Sequence, residues 1–356
     1  MVNEKDRGDG NRERTDLVFG CFGEALFDCL AVEKGVPKEE VKNWTPYPGG
    51  APANVAAALG KLGVKVVFVS AMGLDDLGDQ MLILLEGRNV DLSAVQRVKQ
   101  PTRDVLVTRS LEGDRTFSGF GVAKTTEYAD CFLDSDKLPI DVIQNATALV
   151  TGTLGLAYPV TAAAMNRAVE TAKSGPCQVL IDVNWRPVFW ADNQDANTLI
   201  AEYCRKADIL KLSEEEAEWL YGVPADIALE QPEQVYAKLA PSGCAGVLVT
   251  AGGRGSAYCF QGAGGKLELT GFVPVLDVEV VDTTGAGDAF LAGFLFAMVQ
   301  AGGLTALQAD ADKLRRAVEF ASACGGFTTT SPGAIGAQPS QEEADKLLAA
   351  RKSVPA

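Results

Sequence analysis

Short apolar runs that alternate with longer amphipathic or alanine-rich stretches limit the kind of fold open to this chain of 356 residues. Leu17–Cys21, Lys65–Ser70, Thr147–Thr151, Gln178–Val183, Ile209–Leu212, Gly246–Thr250 and Ser256–Phe260 read as strands. Between them, Ala53–Leu62, Asp79–Glu86, Val160–Lys173, Ser213–Leu220 and Pro232–Leu239 read as helices. Strand, helix, strand in this rhythm predicts a mainly parallel sheet covered by helices on both faces. Ligands on such a sheet gather at the carboxyl ends of its strands.

Two stretches break the rhythm. Phe27–Trp44 and Arg103–Gly121 read as β-ribbons, the second with Val105, Val107, Phe117 and Phe120 flanking a turn at Glu112-Gly113-Asp114. Placed between early α/β units, they predict a small sheet projecting from the main body, either covering a site or lying on the surface without function. The expected organisation is a disordered tail over residues 1–15 and one domain over 16–345, followed by a C-terminal tail over 346–356. Lid segments at about 27–46 and 103–122 are inserted in the domain.

A net charge of −15 leaves no basic surface to recruit nucleic acid or anionic lipid. An anionic nucleotide must then be met by local devices: backbone amides, magnesium and a few placed lysines or arginines. There is no histidine. Imidazole metal sites and histidine triads are excluded, and carboxylates remain as the bases near neutral pH. The eight cysteines are scattered without a C-x-x-C pair and sit mostly beside apolar residues, where free cysteine behaves as a small hydrophobe. This points to a reducing compartment, with the cytoplasm as the first reading and a plastid as the second. Acidic residues in the first fifteen positions count against a transit peptide, and apolar runs stop short of a membrane span.

Chemistry concentrates in two segments. Val281-Asp282-Thr283-Thr284-Gly285-Ala286-Gly287-Asp288 runs directly into the apolar stretch Ala289–Leu295. A glycine-rich turn at a helix head aims backbone N–H groups and the positive end of the helix dipole at one spot, suited to a phosphate. An aspartate there is electrostatically misplaced unless it takes a proton from a nucleophile attacking that phosphate. The plainer alternative is an ordinary strand-to-helix turn with Asp288 as a first-turn charge. The second segment is Gly49-Gly50-Ala51-Pro52-Ala53-Asn54-Val55-Ala56-Ala57-Ala58-Leu59-Gly60. Its paired glycines allow close backbone approach to a ligand, and Asn54 offers both a donor and an acceptor, as a polyhydroxylated molecule requires.

Gly49-Gly50, Asn54, Ala56, Gly63 and Gly73 fall at the spacing of the first signature of the PfkB (ribokinase-like) carbohydrate kinases, which this sequence resembles. Asp282 to Asp288 is similar to the second signature at every position, and the resemblance runs from about Leu17 to Pro339. Fructokinases are the best fit, through Gly23-Glu24-Ala25-Leu26-Phe27-Asp28, Lys211-Leu212-Ser213-Glu214-Glu215-Glu216 and Phe320–Gly325. The resemblance implies a ribokinase-like three-layer α/β/α domain with a small β-sheet lid, and an ATP-dependent kinase acting on a primary hydroxyl of a small sugar, fructose first.

It further implies Asp288 as catalytic base and the amides of Gly285, Ala286 and Gly287 as the anion hole. Asp28, Gly49, Gly50 and Asn54 would bind the sugar, joined by Asn184 and Arg186 of Asp182-Val183-Asn184-Trp185-Arg186, which resembles a D-x-N-x-R element. Lys211, Glu216, Thr250, Gly252, Gly255 and Ser322 would serve the nucleotide, Glu216 organising magnesium through water. Asp282 and Thr284 would hold a monovalent cation such as potassium, and the segment 322–333 would line the adenine pocket. A homodimer through the lid is also implied. One departure bears on the sugar: fructokinases commonly carry an arginine after the second ribbon, and here none follows Arg115 through Asp130, where Lys124 is the sole cation. A 2-keto-3-deoxygluconate kinase, another ribokinase-like sugar kinase and a non-catalytic, fructokinase-like partner-binding protein are the competing readings.

Overall fold

The computed structural model describes residues 18–352, apart from 112–114, 123, 192–194 and 266–267. The tail expected over 1–15 and the ribbon turn at 112–114 lie outside the described residues. In chain order the strands are β1 (Val18–Phe22), β2 (Leu26–Ala31), β3 (Trp44–Gly49), β4 (Lys65–Gly73), β5 (Val90–Asp91), β6 (Val95–Val98) and β7 (Arg103–Arg109). They continue as β8 (Arg115–Phe120), β9 (Ala148–Thr151), β10 (Gln178–Asp182), β11 (Ile209–Ser213), β12 (Gly246–Thr250), β13 (Ser256–Gln261) and β14 (Glu268–Val273).

The central sheet has the order β14-β13-β12-β11-β10-β9-β1-β4-β5, with β6 also on β4. It is parallel from β5 to β12 and closes with the antiparallel pairs β12–β13 and β13–β14. β1 lies between β4 and β9, so the chain builds outward in opposite directions from it. The switch point thus falls just beyond Phe22, where an open α/β sheet offers a crevice.

Helices Pro159–Lys173, Ala196–Cys204, Glu214–Tyr221 and Glu233–Leu239 bury one face of the sheet. Ala51–Lys61, Asp76–Glu86, Ala286–Gln300 and Ala311–Thr328 bury the other. Alternating sequence elements thus become three layers with an apolar core on each side. Ala286–Gln300 is apolar around most of its circumference because it is enclosed by the sheet and Ala311–Thr328. A Cβ at Gly293 would lie 2.8 Å from Cys324 Sγ and 3.0 Å from Ala321 Cα, so glycine sets how closely these helices approach. The eight cysteines are free and buried. Among the described residues no helix is long and apolar enough to cross a membrane.

The second sheet has the order β3-β2-β7-β8, with β2 and β7 parallel and the outer pairs antiparallel. The two ribbon stretches therefore join in one sheet. The first begins at Leu26 and runs to Gly49, past the expected end at 46, because β3 carries Pro46 and Pro48. Proline gives up no ladder bond on the open side of an edge strand. At the other end of the chain, Gln341–Lys352 is helical, so the segment expected as a tail from 346 is ordered as far as Lys352.

At the root of the second sheet Arg103, fully buried, donates to Asp130 through Nε at 2.7 Å and Nη2 at 2.8 Å. Its guanidinium lies 4.6 Å from the ring centroid of Tyr128, 5.0 Å from Tyr158 and 5.1 Å from Phe189. The ion pair and its aromatic cage fasten the start of β7 to the main domain.

Candidate active site

Loops leaving the carboxyl ends of β1, β10 and β11 converge with the two glycine turns around a cavity of about 590 Å³. It is lined by Asp28, Gly49, Gly50 and Asn54, by Asn184 and Arg186, and by Lys211, Glu216, Thr284, Gly285, Gly287 and Asp288. A second cavity of about 310 Å³ is lined by Thr250, Gly252, Gly255, Ala286 and Ser322, with apolar walls from Leu276 and Phe290. Thr283 and Gly287 line both, so the cavities meet at the glycine turn. From segments up to 294 residues apart, the fold thus brings together all the candidate residues except Asp282 along one continuous trough. Asp282 supports the turn from behind: Oδ1 accepts from Thr284 N at 3.0 Å and Thr284 Oγ1 at 2.6 Å, and Oδ2 from Gly333 N at 3.0 Å.

The turn aims donors because Gly285 adopts φ +77° immediately before the helix Ala286–Gln300. A Cβ there would lie 2.6 Å from Ala334 Cβ, so a larger residue meets both strain and a clash. Asp288, in the first turn, is 9% exposed and accepts a 2.7 Å hydrogen bond from Asn54 Nδ2. Among the described residues Asn54 Oδ1 is buried without a hydrogen-bond partner, leaving an acceptor beside the cavity. Burial raises the Asp288 carboxyl above the ordinary aspartate range, against the pull of Lys211, Asn54 and Arg186.

Lys211 donates to both oxygens of Asp182 at 2.9 Å. Burial opposes its charge, but Asp182, Glu216 and Asp288 outweigh that cost and keep Lys211 protonated. Its Nζ lies 3.0 Å from where a Gly287 Cβ would sit, which places a fixed positive charge beside the turn. Glu216 is held by two backbone amides, Ser213 N at 2.7 Å and Trp185 N at 2.6 Å. With Ser213 Oγ accepting from Glu216 N, this is a capping box, and the S-x-x-E spacing is its sequence signature. Glu216 thereby ties the Asn184–Arg186 loop to the head of helix Glu214–Tyr221, and Trp185 stacks on Trp219 at 4.3 Å. Asn184 itself has φ +42°, a left-handed conformation that asparagine tolerates better than most residues.

Sequence reasoning missed several contributors, four of them at the first cavity and the Lys211 contact. Asp182 stands in a quoted motif, but its bond to Lys211 was legible only once β10 and β11 were adjacent. Glu24, Leu154 and Phe189 also line the first cavity, and nothing in their local patterns marks them as ligand-facing.

Gly50 has φ +98°, and a Cβ there would lie 2.7 Å from the Glu24 carbonyl oxygen. Gly50→Ala is expected to cost about 1–3 kcal/mol in backbone strain and to raise the KM of whatever occupies the cavity. Chemical denaturation and steady-state kinetics check both.

The family model for the pfkB family carbohydrate kinases matches residues 19–341. Fructokinase-1 of Oryza sativa subsp. japonica is 34% identical over 336 residues, covering 94% of this chain and 98% of that protein. A fructokinase from Xylella fastidiosa with bound ATP superposes with a TM-score of 0.82 at 27% identity, covering 94% of this chain and 99% of that one. A fructokinase from Vibrio cholerae O395 in a fructose-, ADP- and calcium-bound form gives 0.77 at 26% identity, covering 94% and 100%.

Proposed function

The chain belongs to the pfkB family of carbohydrate kinases, and from that premise we propose that it phosphorylates fructose on a primary hydroxyl, giving fructose 6-phosphate. It is an ATP-dependent sugar kinase. The observation that carries the proposed mechanism is the buried Asp288 carboxylate, one residue beyond the glycine turn and held by Asn54. The Asp288 carboxylate takes the proton of the sugar hydroxyl as its oxygen bonds to the γ-phosphorus. The bond from that phosphorus to the β–γ bridging oxygen breaks, and ADP leaves. The amides of Gly285, Ala286 and Gly287 receive the charge that builds on the transferring group, and such preorganised donors are the main resource for this chemistry.

The linings support assigning the sugar to the first cavity and the adenine to the second: carboxylates and amide in one, glycines and apolar walls in the other. Glu216, each oxygen of which already holds an amide, supports magnesium reached through water. Magnesium retains several waters and takes few protein ligands, and when bound it would neutralise phosphate charge. The Asp282–Thr284 turn supports a potassium ion in the same proposal. Open edges at β3 and β8 support pairing of two copies through the lid, and eight free buried thiols support a cytoplasmic setting.

Charge favours a neutral sugar. Among the described residues the first cavity presents the carboxylates of Asp28, Glu215, Glu216 and Asp288 against Arg186 and Lys211, and Lys211 is engaged by Asp182. Lys124, the one cation of the departing lid stretch, is exposed and does not line the cavity. A sugar acid or sugar phosphate would add negative charge beside these carboxylates and the nucleotide. Turnover against fructose, ribose, 2-keto-3-deoxygluconate and fructose 6-phosphate tests this. Fructose is expected to have the highest kcat/KM and both anionic compounds the lowest. A higher value for 2-keto-3-deoxygluconate would reassign the substrate to the sugar acids.

A further inference from the structure

Glu24 follows β1 at the switch point and takes no part in the phosphoryl-transfer scheme. It is 4% exposed, yet it lines the first cavity with Asp28, Gly50 and Asn54. Its Oε1 accepts the Ala51 N–H at 3.2 Å, which fixes the carboxyl against the head of helix Ala51–Lys61. The charged groups that bear on it are Asp130 from the turn Ala129–Cys131 and Asp288 from helix Ala286–Gln300, and Asp28 from β2 lines the same cavity. The buried cations are engaged elsewhere, Arg103 by Asp130 and Lys211 by Asp182, and Arg186 is exposed at the cavity mouth. A carboxyl enclosed among carboxylates is cheapest as the neutral acid. Burial, reinforced by Asp130 and Asp288 and opposed by local amides, pushes Glu24 up to about 8.

A neutral carboxyl is both donor and acceptor, whereas a carboxylate only accepts. Oε1 accepts the Ala51 N–H, so the proton is assigned to Oε2. We propose that Glu24 is a sugar-binding residue acting as a donor, its protonated Oε2 giving a hydrogen bond to a sugar hydroxyl while Asp28 and Asn54 Oδ1 accept from others. This rests on the sugar-site reading above and adds to it a pH-dependent affinity. Above the Glu24 transition the donor is lost, and a negative charge faces the hydroxyl oxygen.

Calorimetric titration of fructose into the full chain from about pH 6 to 9.5, beside Glu24→Gln, tests the proposal. The native Kd is expected to be flat at the acid end and to weaken by approaching about tenfold per unit above about pH 8. Glu24→Gln keeps a neutral donor and should show no such slope, and its thermal midpoint reports that it is folded. A flat native Kd, or the native slope retained in Glu24→Gln, overturns the proposal. Turnover in the same samples separates the two readings. Fructose that is phosphorylated with a pH-independent Kd removes the Glu24 donor alone. Fructose that binds with the expected slope but is not phosphorylated counts against the kinase assignment and leaves Glu24 standing.

Discussion

Asp288→Asn is expected to slow sugar phosphorylation by about 10²–10⁴-fold while leaving nucleotide affinity close to native. The substitution keeps the size of the side chain but removes the group proposed to take the hydroxyl proton. The amides proposed as the anion hole belong to the backbone of the turn and stay in place. Burial raises the Asp288 carboxyl above the usual aspartate range, so less of it is ionised at acid pH. Native turnover should therefore fall as pH drops through that raised value, on a limb that is absent from the residual activity of Asp288→Asn. Stability should change little, because Asn54 can still hydrogen-bond to the amide. A collapse in stability with turnover otherwise intact would make Asp288 a structural group.

Arg103→Met is expected to be the most destabilising single change outside the cavities. Removing one member of a buried ion pair leaves the other charged and unsolvated, at about 3–5 kcal/mol. Asp130 is 5% exposed and would have no other cation in place among the described residues, and the aromatic cage around the guanidinium would lose its filling. Adding Asp130→Leu should recover part of the loss, because groups in direct contact do not contribute additively. Phe189 both flanks Arg103 and lines the first cavity, proposed as the sugar site, so KM should rise with the loss of stability. Urea melts of the two single variants and the double variant measure the coupling. An Arg103→Met melt that overlays the native one would mean the pair does not anchor the second sheet.

Much of this architecture was legible because parallel strands are buried on both faces and leave continuous apolar runs, as Gly246–Thr250 does. The signal fades toward the edge of the sheet. β14 alternates exposed and half-buried residues, and β5 is two residues long. β3 was hidden by its two prolines, which sequence rules count against a strand until its edge position is known. Helix Ala311–Thr328 ends in small residues packed on its neighbour, so its apolar stripe is narrow where it matters.

The site shows the same division. Glycine turns, and the aspartate and asparagine beside them, advertise themselves because their local chemistry is unusual. Their contacts do not: Asn54 to Asp288 spans 234 positions and Lys211 to Asp182 spans 29, and each needs the sheet order to become visible. Glu24 was the hardest to read, since burial rather than sequence context is what makes it unusual.

Phosphorus NMR of the native chain with ATP, magnesium and fructose tests the central claim most directly. The γ-phosphate signal of ATP should decay as a sugar monophosphate signal of matching intensity appears, and Asp288→Asn should show neither change over the same interval. Release of inorganic phosphate without a phosphorylated sugar, or equal rates in the two proteins, would contradict it.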